Sequence, residues 1–290
     1  MATYELNTVT YGTKPAPFLA TRTLKQLAMD EEEHYPLAAR AIAMDTYMDD
    51  VLTGSDNVTE ATNLRMQLEA LMESGGFHLR KWASNSAEVL DGIPEDSLAI
   101  QDSLGITLDP DPVIKTLGLI WQPGKDVFGF GFNIPPLSDV TTLSRRQLLS
   151  IIATLFDPLG LVGATITMAK LFMQLSWTLK DKDEQRLGWD EPLPLKVGEA
   201  WRKYHQQLPL LNQIHVNRCV IIAEAVAVVI HCFSDASQKA YGACLYIRSQ
   251  NKEGRVMVHL FSAKSKVASL KCVTIPRLEL CGARLAALLF

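Results

Sequence analysis

Ala225-Val-Ala-Val-Val-Ile-His-Cys-Phe233, continued by Ser234-Asp235-Ala236-Ser237, is the stretch that decides the fold of the C-terminal part. It is rich in β-branched residues, carries no charge before Asp235 and reads as a strand. Two more β-prone runs follow, Gly242 to Arg248 and Val256 to Phe261, joined by the turn Ser249-Gln-Asn-Lys-Glu-Gly254. Pro276 then opens a helix that is still in progress at Phe290, because proline is tolerated in a first helical turn. A chain ending in mid-helix is expected to end in mid-domain.

Working back from that strand, the periodicity predicts helices from about Val162 to Leu179 and from Leu195 to Gln207. Ser144-Arg-Arg-Gln147 is a capping box opening a helix to about Phe156, and Pro158 and Gly160 break it. The charged, proline-bearing stretch from Lys180 to Pro194 reads as a boundary between modules. Ile114 to Phe132 reads as a hairpin turned at Gln122-Pro-Gly-Lys125. Near the N-terminus, Tyr4 to Thr10 alternates like a short strand. A helix is expected from Ala16 to about Ala28, and Asp30-Glu-Glu-Glu33 is expected to be a solvated loop. Leu64, Leu68, Leu71 and Met72 share one helical face, Gly75-Gly76 stops that helix, and Phe77 to Trp82 reads as a strand.

Composition narrows the classes. With 290 residues, 48% hydrophobic, 21% charged and a net charge of −4, the chain is globular, neither disordered nor a disulfide-framed miniprotein. A wholly basic nucleic-acid coat is excluded. A local basic face is not: Lys264, Lys266, Lys271, Arg277 and Arg284 stand against one anion, Glu279. The most apolar stretch, Leu148 to Met173, is interrupted by Asp157, Pro158 and Lys170, so no membrane span is expected. The cysteines, Cys219, Cys232, Cys244, Cys272 and Cys281, form no C-x-x-C pair and read as reduced core thiols of an intracellular protein.

The sharpest chemical signal lies elsewhere, in Tyr47-Met48-Asp49-Asp50. Short strands from Ala43 to Leu52 would place these two carboxylates at a hairpin tip. Oxygen ligands of this kind suit Mg²⁺ and leave positions open for phosphate. Two such ions clamp the attacking and leaving oxygens of a phosphoryl transfer. The plain alternative is an exposed turn, where aspartate is common. A chance Y-x-D-D in a chain of this composition is expected at the order of a few per cent.

Its surroundings carry a resemblance. Tyr47-Met48-Asp49-Asp50 resembles the active-site motif of reverse transcriptases. Val9-Thr-Tyr11-Gly12-Thr-Lys-Pro-Ala16-Pro17 is similar to the segment beside the incoming nucleotide. Gly76-Phe-His-Leu-Arg-Lys81-Trp82 is similar to the strand whose lysine is held to protonate pyrophosphate. Leu117-Gly118-Leu119-Ile120-Trp121 resembles the primer grip. Lys81-Trp-Ala-Ser-Asn85, Phe156-Asp-Pro-Leu-Gly-Leu161 and Ile275-Pro-Arg-Leu-Glu-Leu280 narrow the likeness to Pol polyproteins of BEL/Pao long-terminal-repeat retrotransposons, a region often labelled a Pao retrotransposon peptidase. The C-terminal part resembles the start of a ribonuclease-H-like domain, with Asp235 at the sheet centre and Glu279 on the following helix.

The resemblance implies an α+β fold. Its parts are a partial reverse-transcriptase palm over residues 1–135, a helical thumb and connection over 136–215, and a truncated ribonuclease-H-like α/β domain over 216–290. It implies RNA-directed DNA synthesis with cleavage of the RNA strand. Catalytic roles would fall to Asp49, Asp50, Lys81, Asp235 and Glu279, with Mg²⁺ on the four carboxylates. Nucleotide and primer contacts would fall to Gly12, Pro17, Tyr47, Met48, Gly118 and Trp121. The implied partners are an RNA–DNA hybrid, deoxynucleotides and the rest of the polyprotein, without a membrane, in cytoplasmic virus-like particles. The family pattern also calls for a palm carboxylate upstream of Tyr4 and two acidic residues beyond the last helix, so the isolated chain is expected to be an inactive fragment. The rival reading is a non-catalytic nucleic-acid-binding remnant. An aspartic peptidase is disfavoured, since neither Asp-Thr-Gly nor Asp-Ser-Gly occurs.

Overall fold

The computed structural model describes residues 8–10, 12–99, 114–116, 118–137, 139, 141–180, 184–271 and 273–290. Mixed helix and sheet form two compact units, Met1–Pro112 and Val113–Phe290. Tyr4 to Asn7, Tyr11, Leu117 and Cys272 lie outside the described residues, and Thr8 to Thr10 form no strand.

In the first unit, helices α1 (Ala16–Asp30), α2 (Pro36–Met44) and α3 (Val58–Ser74) enclose Ala38, Ala39, Ile42, Leu64, Leu68 and Leu71. The Asn57 side chain caps α3 by accepting the Glu60 N–H at 2.9 Å, satisfying one orphan donor of the first turn. Helix α2 corrects the sequence reading, which began a strand at Ala43. Pro-Leu-Ala-Ala-Arg-Ala-Ile-Ala-Met, with proline in the first turn and four alanines, favours helix to Met44. The expected hairpin is confined to β1 (Thr46–Tyr47) and β2 (Asp50–Val51), paired Tyr47 to Asp50. The acidic run begins as the end of α1 at Asp30 and continues as a turn.

Phe77 to Trp82 is not a strand either. Gly76 takes φ +74°, the Phe77 N–H returns to the Met72 carbonyl, and Trp82 makes one isolated bridge to Leu98. An extended segment with no neighbour to share its hydrogen bonds has no reason to stay a strand.

The second unit opens with β3 (Ile114–Thr116), β4 (Leu119–Gln122) and β5 (Val127–Gly129), joined by β6 (Val216–Asn217) in one antiparallel sheet. The expected two-stranded hairpin thus gains a third segment. Gly118 at φ +83° turns β3 into β4, a conformation that a side chain would strain. Leu119, Phe130 and Phe132 share a core with Leu148 and Ile151 of α4 (Arg145–Ala153), Ile166 and Ala169 of α5 (Gly163–Ser176), and Trp201 of α6 (Leu195–His205). The capping box forms as read: the Ser144 hydroxyl accepts the Gln147 N–H, and the Gln147 side chain accepts the Ser144 N–H. The described part of the charged Lys180 to Pro194 stretch folds back as structure. Leu187 and Leu193 are buried, the Leu193 N–H meets the Leu143 carbonyl, and Asp190 pairs with Arg146 at 2.6 Å.

Three long strands complete the unit: β7 (Ala225–Ala236), β8 (Ala240–Asn251) and β9 (Val256–Val267), crossed by α7 (Ile275–Leu289). Their order is β7-β8-β9, so β7 is an edge strand and Asp235 does not stand at the sheet centre. Two successive hairpins grow a sheet to one side only, which leaves the first strand outermost. Apolar Val226, Val228, Val229, Ile230 and Phe233 are accordingly exposed.

Candidate metal-binding and nucleic-acid site

In the second unit the candidate site is built on β7 and α7. Asp235 pairs with Gly242 across the β7–β8 ladder, and Gly242 with Ser265 across β8–β9. The strand then turns within Ser237 to Ala240. The Ser237 N–H donates to the Ala240 carbonyl at 2.8 Å, while its hydroxyl oxygen accepts the Ala240 N–H at 3.2 Å. This turn holds the end of the strand and the Asp235 carboxylate in place. On the helix, Leu278, Gly282 and Leu285 form the buried stripe, at the i, i+4, i+7 spacing of one face. Gly282 lets the helix approach: a Cβ there would lie 3.4 Å from the Asp235 carbonyl oxygen and 3.5 Å from that of Gly242. Glu279 stands about one turn before that contact and is exposed, as is Asp235. The helix that bears Glu279 thus packs, at Gly282, against the strand that bears Asp235.

The first unit presents the other carboxylate pair. Met48, with φ +54°, and Asp49 turn the β1–β2 hairpin, and Asp50 opens its second strand. Tyr47, Met48, Asp49 and Asp50 are all exposed. Gly12 takes φ +77° in open space, Pro17 lies in the first turn of α1, and Lys81 sits exposed at φ +59° in a bend.

In the second unit, Gly118 and Trp121 have structural duties. A Cβ on Gly118 would lie 2.1 Å from the Phe156 ring. The Trp121 indole N–H donates to the Asp126 carboxylate at 3.0 Å, and the Arg218 guanidinium lies 5.8 Å from the ring centroid. Arg218 completes the set by pairing with Asp126, which raises its own pKa above the ordinary arginine value. Sequence reading missed Asp126 and Arg218, which are distant in the chain and carry no motif. Gly282 had a signal: a lone glycine inside a helical pattern marks a close backbone approach.

Two exposed carboxylates offer hard oxygen donors, which fit Mg²⁺, an ion that takes one or two carboxylates together with waters and substrate phosphate. Among the described residues, no group of three or more His, Cys, Asp or Glu side chains gathers at one point. Among the described residues, no helix is long and apolar enough to cross a membrane. The described cysteines are free thiols, but Cys219, Cys232 and Cys281 are exposed rather than in the core as expected; Cys244 is half-buried, and burial pushes its thiol up.

A family model described as a Pao retrotransposon-like RNaseH-like domain matches residues 144–290, half of the chain. No curated protein matches it. The match opens at Ser144, the cap of α4, and takes in α4, α5 and α6 as well as the sheet that carries Asp235 and the helix that carries Glu279. The chain belongs to the Pao retrotransposon family, whose RNaseH-like domain it carries in its second half.

Proposed function

We propose that this chain is part of a retrotransposon Pol polyprotein and acts on an RNA–DNA hybrid, its second half as the ribonuclease-H-like part. The observation that supports this reading is the seating of α7, the helix bearing Glu279, against the backbone of Asp235 at Gly282. Asp235 and Glu279 would hold Mg²⁺, which supplies charge neutralisation at a phosphate and activation of water. The chain's own part is to orient two carboxylates and, through the basic stretch from Lys264 to Arg284, to hold the hybrid's backbone.

For the first half we propose a reverse-transcriptase palm. Asp49 and Asp50 would be its metal ligands, Lys81 its proton donor, and Gly12, Pro17, Tyr47 and Met48 its nucleotide-side residues, with Gly118 and Trp121 toward the primer. The order of these landmarks along the chain supports this reading, as does the hairpin that bears the two aspartates.

The test is Mg²⁺-dependent cleavage of a labelled hybrid by a polyprotein carrying this chain. Asp235→Asn or Glu279→Gln should lower the rate by about 100-fold or more while hybrid binding persists. Cleavage that survives both substitutions would end the ribonuclease-H reading. The 290-residue chain alone should bind hybrid without cutting it or extending a primer, consistent with the non-catalytic remnant and with a site that gathers only two carboxylates. Turnover by the chain alone would refute that.

A further inference from the structure

A cleft of about 450 Å³ lies within the second unit, lined in part by Ser265, which Gly242 links in register to Asp235. Its walls are α5 with the loop before it on one side, and the stretch of β9 from Ser262 to Lys266 on the other. Ile152, Leu155 and Ile166 line it with apolar surface, and Lys170, Lys264 and Lys266 are among its other lining residues.

The cleft is rigidly built. Gly160, at φ +75°, packs against β9 so tightly that no Cβ could fit beside the Ala263 carbonyl. The Leu159 carbonyl accepts the Ala263 N–H at 2.8 Å and the Ser262 hydroxyl at 3.1 Å. The Thr167 and Ser265 hydroxyls bond to each other across the gap. Charge in the cleft is unbalanced. Among the described residues its one carboxylate, Asp157, already accepts the Leu161 and Val162 N–H groups at 3.0 and 2.8 Å, and no ion pair neutralises any of the three lysines. Lys264 and Lys266 fall on the same side of β9, roughly 6.6 Å apart along the strand.

We propose that this cleft binds the phosphodiester backbone of the nucleic acid, with Lys170, Lys264 and Lys266 as its phosphate contacts. The inference rests on the hybrid-binding reading and deepens it: within the basic stretch it assigns Lys264 and Lys266 to this cleft and adds Lys170 of α5. Contacts of this kind position a duplex without reading its sequence. Lys271, Arg277 and Arg284, the rest of the basic stretch, lie outside the cleft.

The test measures binding of a fluorescein-labelled RNA–DNA hybrid to the 290-residue chain across a salt series, by fluorescence anisotropy. The triple variant Lys170→Gln, Lys264→Gln, Lys266→Gln should weaken binding about 10-fold or more at low salt. It should also flatten the slope of log affinity against log salt by about 2 to 3. A control variant with the same change in net charge, Lys196→Gln, Lys203→Gln, Lys252→Gln, should leave the slope unchanged. Both variants should unfold at the urea midpoint of the parent. Equal effects in the two variants, or none in the first, would overturn the cleft while leaving hybrid binding intact. A parent chain that fails to bind hybrid would overturn the underlying reading along with it.

Discussion

Gly282 of α7 lies against the backbone of Asp235, and a Cβ at position 282 would sit 3.4 Å from the Asp235 carbonyl oxygen. That is ordinary van der Waals contact, so one methyl group fits and a larger side chain does not. Gly282→Ala should therefore keep α7 in place and stabilise the second unit by up to about 1 kcal/mol through helix propensity. Gly282→Leu should destabilise it by about 1–3 kcal/mol by prising the helix off the strand. Urea unfolding followed by circular dichroism separates the two, and equal effects would mean that the close approach is not what holds α7.

At Gly160 the sign reverses. The backbone is at φ +75°, and an added Cβ would come within 1.8 Å of the Ala263 carbonyl oxygen, which belongs to rigid β9. Gly160→Ala should cost about 3 kcal/mol, from left-handed strain and overpacking together. The same urea experiment reads it as a lower midpoint, and an unchanged midpoint would show that the loop can move off the strand.

Trp201 is fully buried, packed against Phe172 and Tyr204, yet its indole N–H has no hydrogen-bond partner. Size rather than polarity accounts for its place. Trp201→Phe should thus cost less than about 1.5 kcal/mol, and Trp201→Ala about 3–5 kcal/mol. Denaturant midpoints for the pair decide it; a large loss in the phenylalanine variant would point to a bond that the N–H makes in solution.

Burial pushes the Tyr204 phenol up to about 12, and its O–H donates to the Thr165 carbonyl at 2.9 Å. In the unfolded chain the same phenol ionises near 10. The folded state is favoured while the group is protonated, so this contribution is complete below pH 10 and disappears as pH rises toward 12. Thermal midpoints between pH 9 and 12 should fall less steeply in Tyr204→Phe than in the parent. Parallel slopes would mean that the phenol titrates alike in both states.

Where local chemistry decides conformation, sequence and structure agree. The Ser144 to Gln147 capping box, the α3 stripe of Leu64, Leu68 and Leu71, and the three long C-terminal strands form as the residues dictate. Disagreement arose where partners mattered. Phe77 to Trp82 has strand-forming residues but no adjacent strand, and Ala43 joined α2 because alanine-rich sequence downstream of Pro36 favours helix. The bond from the Trp121 indole N–H to Asp126, which Arg218 brackets from far along the chain, likewise joins residues that no local pattern links.

By itself, the amino-acid sequence determined the elements and the carriers of charge. A hairpin bears Asp49 and Asp50, a strand runs into Asp235, and a helix begins near Pro276 with Glu279 in its early turns, because propensity, capping and turn chemistry act over a few residues. Only the tertiary structure decided that β7 lies at the sheet edge, that Gly282 brings α7 onto the backbone of Asp235, and that Gly160 locks a loop against β9 beside three unpaired lysines. Those outcomes depend on which surfaces meet across tens of residues, and close packing settles that through contacts a linear pattern does not contain.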